Sequence, residues 1–248
     1  MTYKNKTALI IGGNSDIGKA IALELANEKY NLILTSRIKN FKDSYCNHLS
    51  IKYDVVVQNL FLDICAHNSF SDFVDNLNTL PDLIFVSVGY LNNQKLSFER
   101  YDDALLSINT NYTGPSLILN TLSSKLISNN KSCKIIGISS VAGLRGRASN
   151  FIYGSSKSGF TTYLSGLRNY LFDYRISVLT VLPGYVDTKM TSHLNLPRLL
   201  TISPELLAKK IIKAVKSDKN VMYSTLIWFV IMTIINLIPE TIFKRLKF

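Results

Sequence analysis

Thr7-Ala8-Leu9-Ile10-Ile11-Gly12-Gly13-Asn14-Ser15-Asp16-Ile17-Gly18 decides the fold reading. A short apolar run enters two glycines, and a segment with apolar residues at helical spacing follows through residue 29. A strand apolar at nearly every position is one covered on both faces, as in a parallel sheet flanked by helices. Glycines let the chain turn sharply and bring its backbone close to a phosphate, and the helix N-terminus adds N–H groups and a favourable dipole. Gly12, Asn14, Ser15, Asp16, Ile17 and Gly18 are therefore candidate contacts to a dinucleotide pyrophosphate. A tight turn without a ligand is the other reading of the same residues.

Outward from this segment, apolar runs at 31–36, 55–62, 82–88, 134–139 and 175–182 read as strands, with 221–224 as a seventh. Helical patterns occupy 17–29, 101–129 (two stretches), 151–172 and 204–216. The alternation predicts an α/β fold: a single-domain, Rossmann-like, doubly wound parallel sheet with its ligand at the carboxyl ends of the strands. Residues 1–225 form that catalytic domain, and 226–248 an apolar helical tail. A chain of 248 residues, 47% hydrophobic, suffices for one sizeable core.

The net charge is +11, with 28 Lys and Arg against 17 Asp and Glu. Such a balance suits an anionic ligand or a membrane surface. The cations are scattered and no nucleic-acid-binding motif is present, so nucleic acid is not expected. Cys46, Cys65 and Cys133 lack metal-ligand spacing and read as buried structural thiols in a reducing compartment. His48, His67 and His193 are dispersed, so no metal site is expected. The first six residues are short and polar, without a secretory pattern, and a cytoplasmic location is expected.

Thr35-Ser36-Arg37 ends the second strand. A carboxylate here suits the ribose 2′-OH of NAD, an arginine the 2′-phosphate of NADP; Ser36 and Arg37 favour NADP(H). Asp63, before Ile64 at the end of strand three, could accept from an adenine amino group. Tyr153-Gly154-Ser155-Ser156-Lys157 carries the strongest chemical signal, with Ser139-Ser140 thirteen residues before the tyrosine. Tyr153 and Lys157, at i and i+4, share one helix face. A neighbouring ammonium and the positive nicotinamide ring are expected to lower the tyrosine pKa, about 10 when free, toward the range of proton transfer. Ser140 could hold a substrate oxygen in line. Pro183-Gly184 after strand six reads first as a turn.

In this order and combination the motifs resemble the short-chain dehydrogenase/reductase family over nearly the whole chain. The resemblance implies that Tyr153 is the general acid/base, that Lys157 binds the cofactor ribose and depresses the tyrosine pKa, and that Ser140 orients the carbonyl. It implies that Asn111 anchors a water relaying protons to Lys157. Ile64, Val88, Gly89, Pro183, Gly184, Val186 and Thr188 would line the cofactor site. Arg145, Arg147, Tyr185, Lys189 and His193 become substrate-contact candidates, the last two in the family's lid region. Two departures stand out: Asp16 replaces the usual middle glycine, and Val86-Ser87-Val88-Gly89 replaces Asn-Asn-Ala-Gly.

Segments 12–18, 111–113 and 139–159, with Ser192-His193-Leu194, Ile238-Pro239 and Ile242-Phe243, are similar to one subfamily, the decaprenylphospho-erythro-pentofuranosid-2-ulose 2-reductases. That resemblance implies reduction of a 2-keto pentofuranose on a polyprenyl phosphate for cell-envelope polysaccharide, with an oxidase partner supplying the ketone. Nucleotide-linked keto sugars, 3-oxoacyl thioesters and other lipid carbonyls are rival substrates, and an idle NADP-binding sensor or scaffold is the rival class. Homo-oligomers are expected by analogy.

Residues 221–238 contain no charge, and 243–248 alternate cations with apolar groups. The tail reads as an apolar helix and a short basic amphipathic one in a membrane interface on the cytoplasmic face. Packing on the body or a partner subunit, or a spanning anchor, are its other readings.

Overall fold

The computed structural model describes residues 6–37, 44–192 and 194–246. His193, the first five residues and the last two of the basic tail lie outside them.

Strand β1 (Thr7–Ile11) enters helix α1 (Asp16–Asn27), followed by β2 (Asn31–Ser36), α2 (Ser44–Tyr53), β3 (Val57–Phe61), α3 (Phe70–Asp75) and β4 (Leu83–Val86). Then come α4 (Gln94–Glu99), α5 (Tyr101–Ile108), a π turn (Asn109–Thr113), α6 (Gly114–Ser128), β5 (Cys133–Ile138) and α7 (Phe151–Tyr170). The chain continues through β6 (Ile176–Leu182), a short pair β7 (Tyr185–Val186) and β8 (Thr201–Ile202), α8 (Pro204–Lys216) and β9 (Val221–Tyr223). Helices α9 (Leu226–Leu237) and α10 (Glu240–Phe243) follow.

Seven strands form one parallel sheet in the order β3-β2-β1-β4-β5-β6-β9. Alternate residues of β1 serve opposite layers. Ala8 and Ile10 pack with Ile21 and Leu25 of α1 and Leu207 and Ile211 of α8. Leu9 and Ile11 pack with Leu119 and Leu122 of α6 and Phe160 and Leu164 of α7. This two-sided burial is why β1 is apolar throughout.

The seven expected strands are all present, with ends moved by up to two residues. Helices α2, α3 and α4 are additions. The polar sequence SYCNHLSIKY of α2 buries only Cys46 and Leu49, so it carries little periodicity. Cys46 and Cys133 are buried, whereas Cys65 is half-buried.

The tail helix α9 packs on the body: Trp228 and Met232 join Val141 and Leu182 in a third apolar cluster. Among the described residues, no helix is long and apolar enough to cross a membrane. Twelve residues of α9 span about 18 Å, well short of the hydrocarbon core.

Candidate functional site

The turn after β1 is built by two glycines whose side-chain positions are already taken. Gly12 sits at φ +84°, where an L side chain is strained, and a Cβ on Gly18 would lie 2.3 Å from the Gly12 carbonyl. Ser15 caps α1: its hydroxyl accepts from the Gly18 N–H (3.0 Å) and donates to the Gly12 carbonyl (2.8 Å). The same Oγ lies 2.9 Å from Ser87 Oγ at the end of β4, pinning the turn to the sheet. The serine of the departed Val-Ser-Val-Gly segment thus has a structural task that spacing did not reveal.

Two cavities, of about 280 and 330 Å³, open along the carboxyl edge and share Asn14, Ser15, Ser87, Val88, Gly89 and Met190. The second is lined by Gly12, Thr35, Ser36, Arg37, Leu62 and Ile64. The first is lined by Asp16, Ile17, Ser140, Tyr153 and Lys157, and by Pro183, Gly184, Val186, Thr188 and Lys189 beyond β6. Two lobes meeting at a glycine turn and a helix N-terminus fit a dinucleotide, with its pyrophosphate over α1 and its adenosine toward Arg37. Met190, which lines both lobes, was missed; nothing in its local sequence marks it.

Not every expected contact faces these lobes. Asp63 does not line them; its Oδ1 accepts from the Cys65 N–H (2.9 Å), closing a local turn. Asp16 lines the first lobe, but its Oδ2 accepts from the Lys189 backbone N–H (2.8 Å). The carboxylate at the departed glycine therefore ties the phosphate turn to the loop after β7. Arg145, a substrate-contact candidate, does not line either lobe. Its guanidinium donates to the carbonyls of Asn236 and Ile238, pairs with Glu240 (2.6 Å) and stacks over Phe243, so it clamps α10 to the body. Tyr185 packs edge-on against Trp228, and Arg147 is half-buried beside it. Neither lines the catalytic lobe.

In the catalytic lobe, Ser139 and Ser140 divide the labour. The Ser139 hydroxyl donates to the Lys157 carbonyl (2.9 Å), fastening β5 to α7. The Ser140 hydroxyl accepts from the Ala142 N–H (3.1 Å) and hydrogen-bonds the Tyr153 hydroxyl. Lys157 is 3% exposed, its Nζ donating to the Ile138 carbonyl (3.0 Å) and lying 6.0 Å from the centre of the Tyr153 ring.

Burial dominates the electrostatics. It pushes the Tyr153 hydroxyl up to about 12, the Ser140 hydrogen bond opposing, and pulls the Lys157 ammonium down to about 8. Burial thus acts on Tyr153 against the depression expected from the lysine and the nicotinamide ring. Near neutrality Tyr153 is a protonated donor aimed with Ser140 into the lobe, and Lys157 is still largely charged.

Asn111 sits in the π turn, fully buried, and a Cβ on Gly89 would lie 3.4 Å from its Oδ1 and 3.8 Å from Lys157 Nζ. Its side chain accepts from the Tyr90 N–H (3.0 Å) and donates to the Tyr90 carbonyl (2.8 Å) and Ser107 (3.2 Å). Ser107 donates to Asn92, and Asn92 donates to Ser97. Ser97 and Tyr90 both donate to Asp103. This buried chain, invisible to spacing, fixes Asn111 beside the lysine. A larger cavity of about 630 Å³ lies at the amino ends of the strands. Its Asp82, Lys134, Lys216 and Asp218 are engaged in ion pairs, and neither Ser140, Tyr153 nor Lys157 lines it.

Helix α9 braces the catalytic edge from outside. A Cβ on Gly184 would fall 1.9 Å from Trp228 Nε1, which donates to the Leu200 carbonyl (2.9 Å). Gly184→Ala is expected to cost about 1–3 kcal/mol and to lower turnover, because backbone or helix must yield. Thermal unfolding checks this, and an unchanged melting temperature would contradict the packing.

Comparisons with known proteins agree with the geometry. Residues 6–198 match the short chain dehydrogenase family model. The NADP-dependent 3-hydroxy acid dehydrogenase of Schizosaccharomyces pombe is 31% identical over 191 residues, 75% of this chain and 73% of the relative. An uncharacterized oxidoreductase of Mycobacterium tuberculosis is 24% identical over 242 residues, 96% of each chain, a span that takes in part of the apolar tail. A Burkholderia cenocepacia short chain dehydrogenase solved in complex with NADP superposes with a TM-score of 0.81 over 99% of both chains, at 18% identity. A family match over that much of the sequence, joined to this cleft, places the protein among the short-chain dehydrogenases, as an oxidoreductase.

Proposed function

We propose that the protein is an NADPH-dependent reductase of a keto group on a lipid-linked sugar, a 2-keto pentofuranose carried on a polyprenyl phosphate, serving cell-envelope polysaccharide synthesis. The observation that carries this reading is the exposed apolar helix α9 packed against the loop that follows Ser140, which suits a substrate presented at a bilayer. The subfamily-like segments at 12–18, 111–113 and 139–159 support it.

A bound reduced nicotinamide would supply the hydride. Ser140 and Tyr153 hold the carbonyl oxygen, and the Tyr153 hydroxyl gives its proton as that oxygen becomes an alkoxide, a stronger base than tyrosinate. Lys157 carries positive charge beside the tyrosine, Asn111 holds the water through which it is reprotonated, and Arg37 receives the 2′-phosphate. The enzyme acts at the cytoplasmic face of the membrane, as a homo-oligomer, on ketone supplied by an oxidase.

The experiment is NADPH and NADH oxidation with a short-chain polyprenyl-phospho-2-keto-pentofuranose. Fast NADPH-dependent turnover supports the reading, and none contradicts its substrate. Arg37→Ala is expected to raise the KM for NADPH about 10- to 100-fold, and that for NADH only a few-fold, since one charge-assisted bond is lost. Equal effects on both would remove Arg37 from the 2′-phosphate site. The second reading, reduction of a 3-oxoacyl thioester, is favoured by a Bos taurus 3-oxoacyl-[acyl-carrier-protein] reductase 27% identical over 198 residues. An acetoacetyl thioester assayed in parallel separates the two.

A further inference from the structure

Helix α9 has an apolar face that the body does not cover. Trp228 and Met232 turn inward, but Leu226, Val230, Ile234 and Leu237 form a stripe on the opposite side, each between 47% and 77% exposed, with Phe229 beside it at 47%. Single exposed apolar residues are ordinary; a continuous stripe of this size marks an interaction surface. Leu226 and Phe229 also line a cleft of about 420 Å³ whose charged residues are Lys210, Lys213 and Lys219, with no acidic side chain among its described lining. Beyond the stripe, Lys244 and Arg245 are exposed. Apolar surface rimmed by cations is the pattern of a helix lying in an anionic lipid interface.

We propose that this face docks on an anionic bilayer, the stripe of α9 entering the acyl boundary and lipid phosphates entering the lysine cleft. This rests on the bilayer placement in the proposed function and not on the sugar. A second copy of the chain fits the same face poorly. A two-fold pairing sets a patch against itself, so Lys213 and Lys219 would meet their own copies. The net charge of +11 points the same way. Docking there also has a consequence for the site. Trp228 and Met232 pack against Val141, one residue after Ser140, and Trp228 lies on Gly184. The catalytic lobe is therefore held at the edge of the molecule that meets the lipid.

The test is flotation of the full-length protein with vesicles of phosphatidylcholine, alone or with a third phosphatidylglycerol. Binding is expected only to the anionic vesicles and is expected to weaken at high salt. Lys213→Gln/Lys219→Gln should lower partitioning about 30-fold, at the usual contribution of each lysine near such a surface. Val230→Ser/Ile234→Ser should abolish binding; both residues are exposed, so folding is expected to persist, as a melting curve verifies. Lys210 is left intact because its Nζ donates to the Ser224 carbonyl. Sedimentation is run on the same variants: a loss of oligomeric mass in Val230→Ser/Ile234→Ser, with no vesicle binding by the parent, would overturn the proposal in favour of self-association. Equal binding to neutral and anionic vesicles would overturn the role of the lysines. Turnover of a soluble ketone, measured alongside, should be unchanged in both variants, so failure to dock is distinguishable from failure of the reductase reading.

Discussion

Tyr153→Phe is expected to lower kcat/KM for carbonyl reduction about 100- to 10,000-fold, the range set by loss of a positioned general acid. Cofactor affinity and melting temperature should stay close to those of the parent. The phenyl ring keeps the packing, and Ser140 keeps its bond from the Ala142 N–H, so only the proton donor at the carbonyl oxygen is removed. The fall should therefore be in kcat more than in KM. Steady-state kinetics with NADPH titrated by fluorescence checks this. A variant within a few-fold of the parent would mean that the proton comes from elsewhere.

The second large effect is at Lys157, and it runs in opposite directions for activity and stability. Burial draws the ammonium from 10.5 in the unfolded chain to about 8 in the folded one. The unfolded state therefore binds more protons between those values, and stability from this group rises as pH rises from about 8 to 10.5. Below pH 8 both states are protonated and the whole penalty, about 3 kcal/mol, is present. Lys157→Met removes it with little change in volume, so the ligand-free variant at pH 7 should be more stable by about 1–3 kcal/mol, the carbonyl of Ile138 losing its donor in exchange. Turnover should nevertheless fall at least 100-fold, about the loss of one acid–base participant. The parent's deficit should shrink as pH rises from about 8 to 10.5, and the variant should show no such rise. Above pH 10 the raised Tyr153 acts oppositely, its contribution declining as the hydroxyl approaches about 12. For reduction itself, kcat/KM should fall as pH rises through about 8, where Lys157 loses its charge while Tyr153 is still protonated. Denaturant unfolding of the two proteins across pH decides the matter: equal stability at pH 7 would mean that the ammonium is better compensated than its burial indicates.

What could be read from the chain followed from how local each signal is. The β1 turn and the Tyr153–Lys157 pair are contiguous and carry their own geometry, so fold class and catalytic pair were legible. The clamp that Arg145 forms on α10 was not legible, because its partners Asn236, Ile238 and Glu240 arrive some ninety residues later. The tie from Asp16 to the loop after β7 was hidden in the same way, since the amide it accepts from is 173 residues away. Asn111 was expected only through resemblance, since the chain of Ser107, Asn92, Ser97 and Asp103 that holds it exists only in the folded state. The burial that raises Tyr153 against the expected effect of the lysine and the nicotinamide ring depends on the folded surroundings and not on local spacing. In the tail, composition announced an apolar helix, but which side faces the body depends on Trp228 finding Gly184 and the Leu200 carbonyl.

The most direct test of the central claim is to follow NADPH consumption and alcohol formation together, with the lipid-linked keto sugar as substrate, in the parent and in Tyr153→Phe. The site described here predicts one alcohol formed per NADPH consumed by the parent, and a loss of about 100-fold or more of both in the variant. Equal product formation by the two proteins would contradict the assignment of Tyr153 as the proton donor.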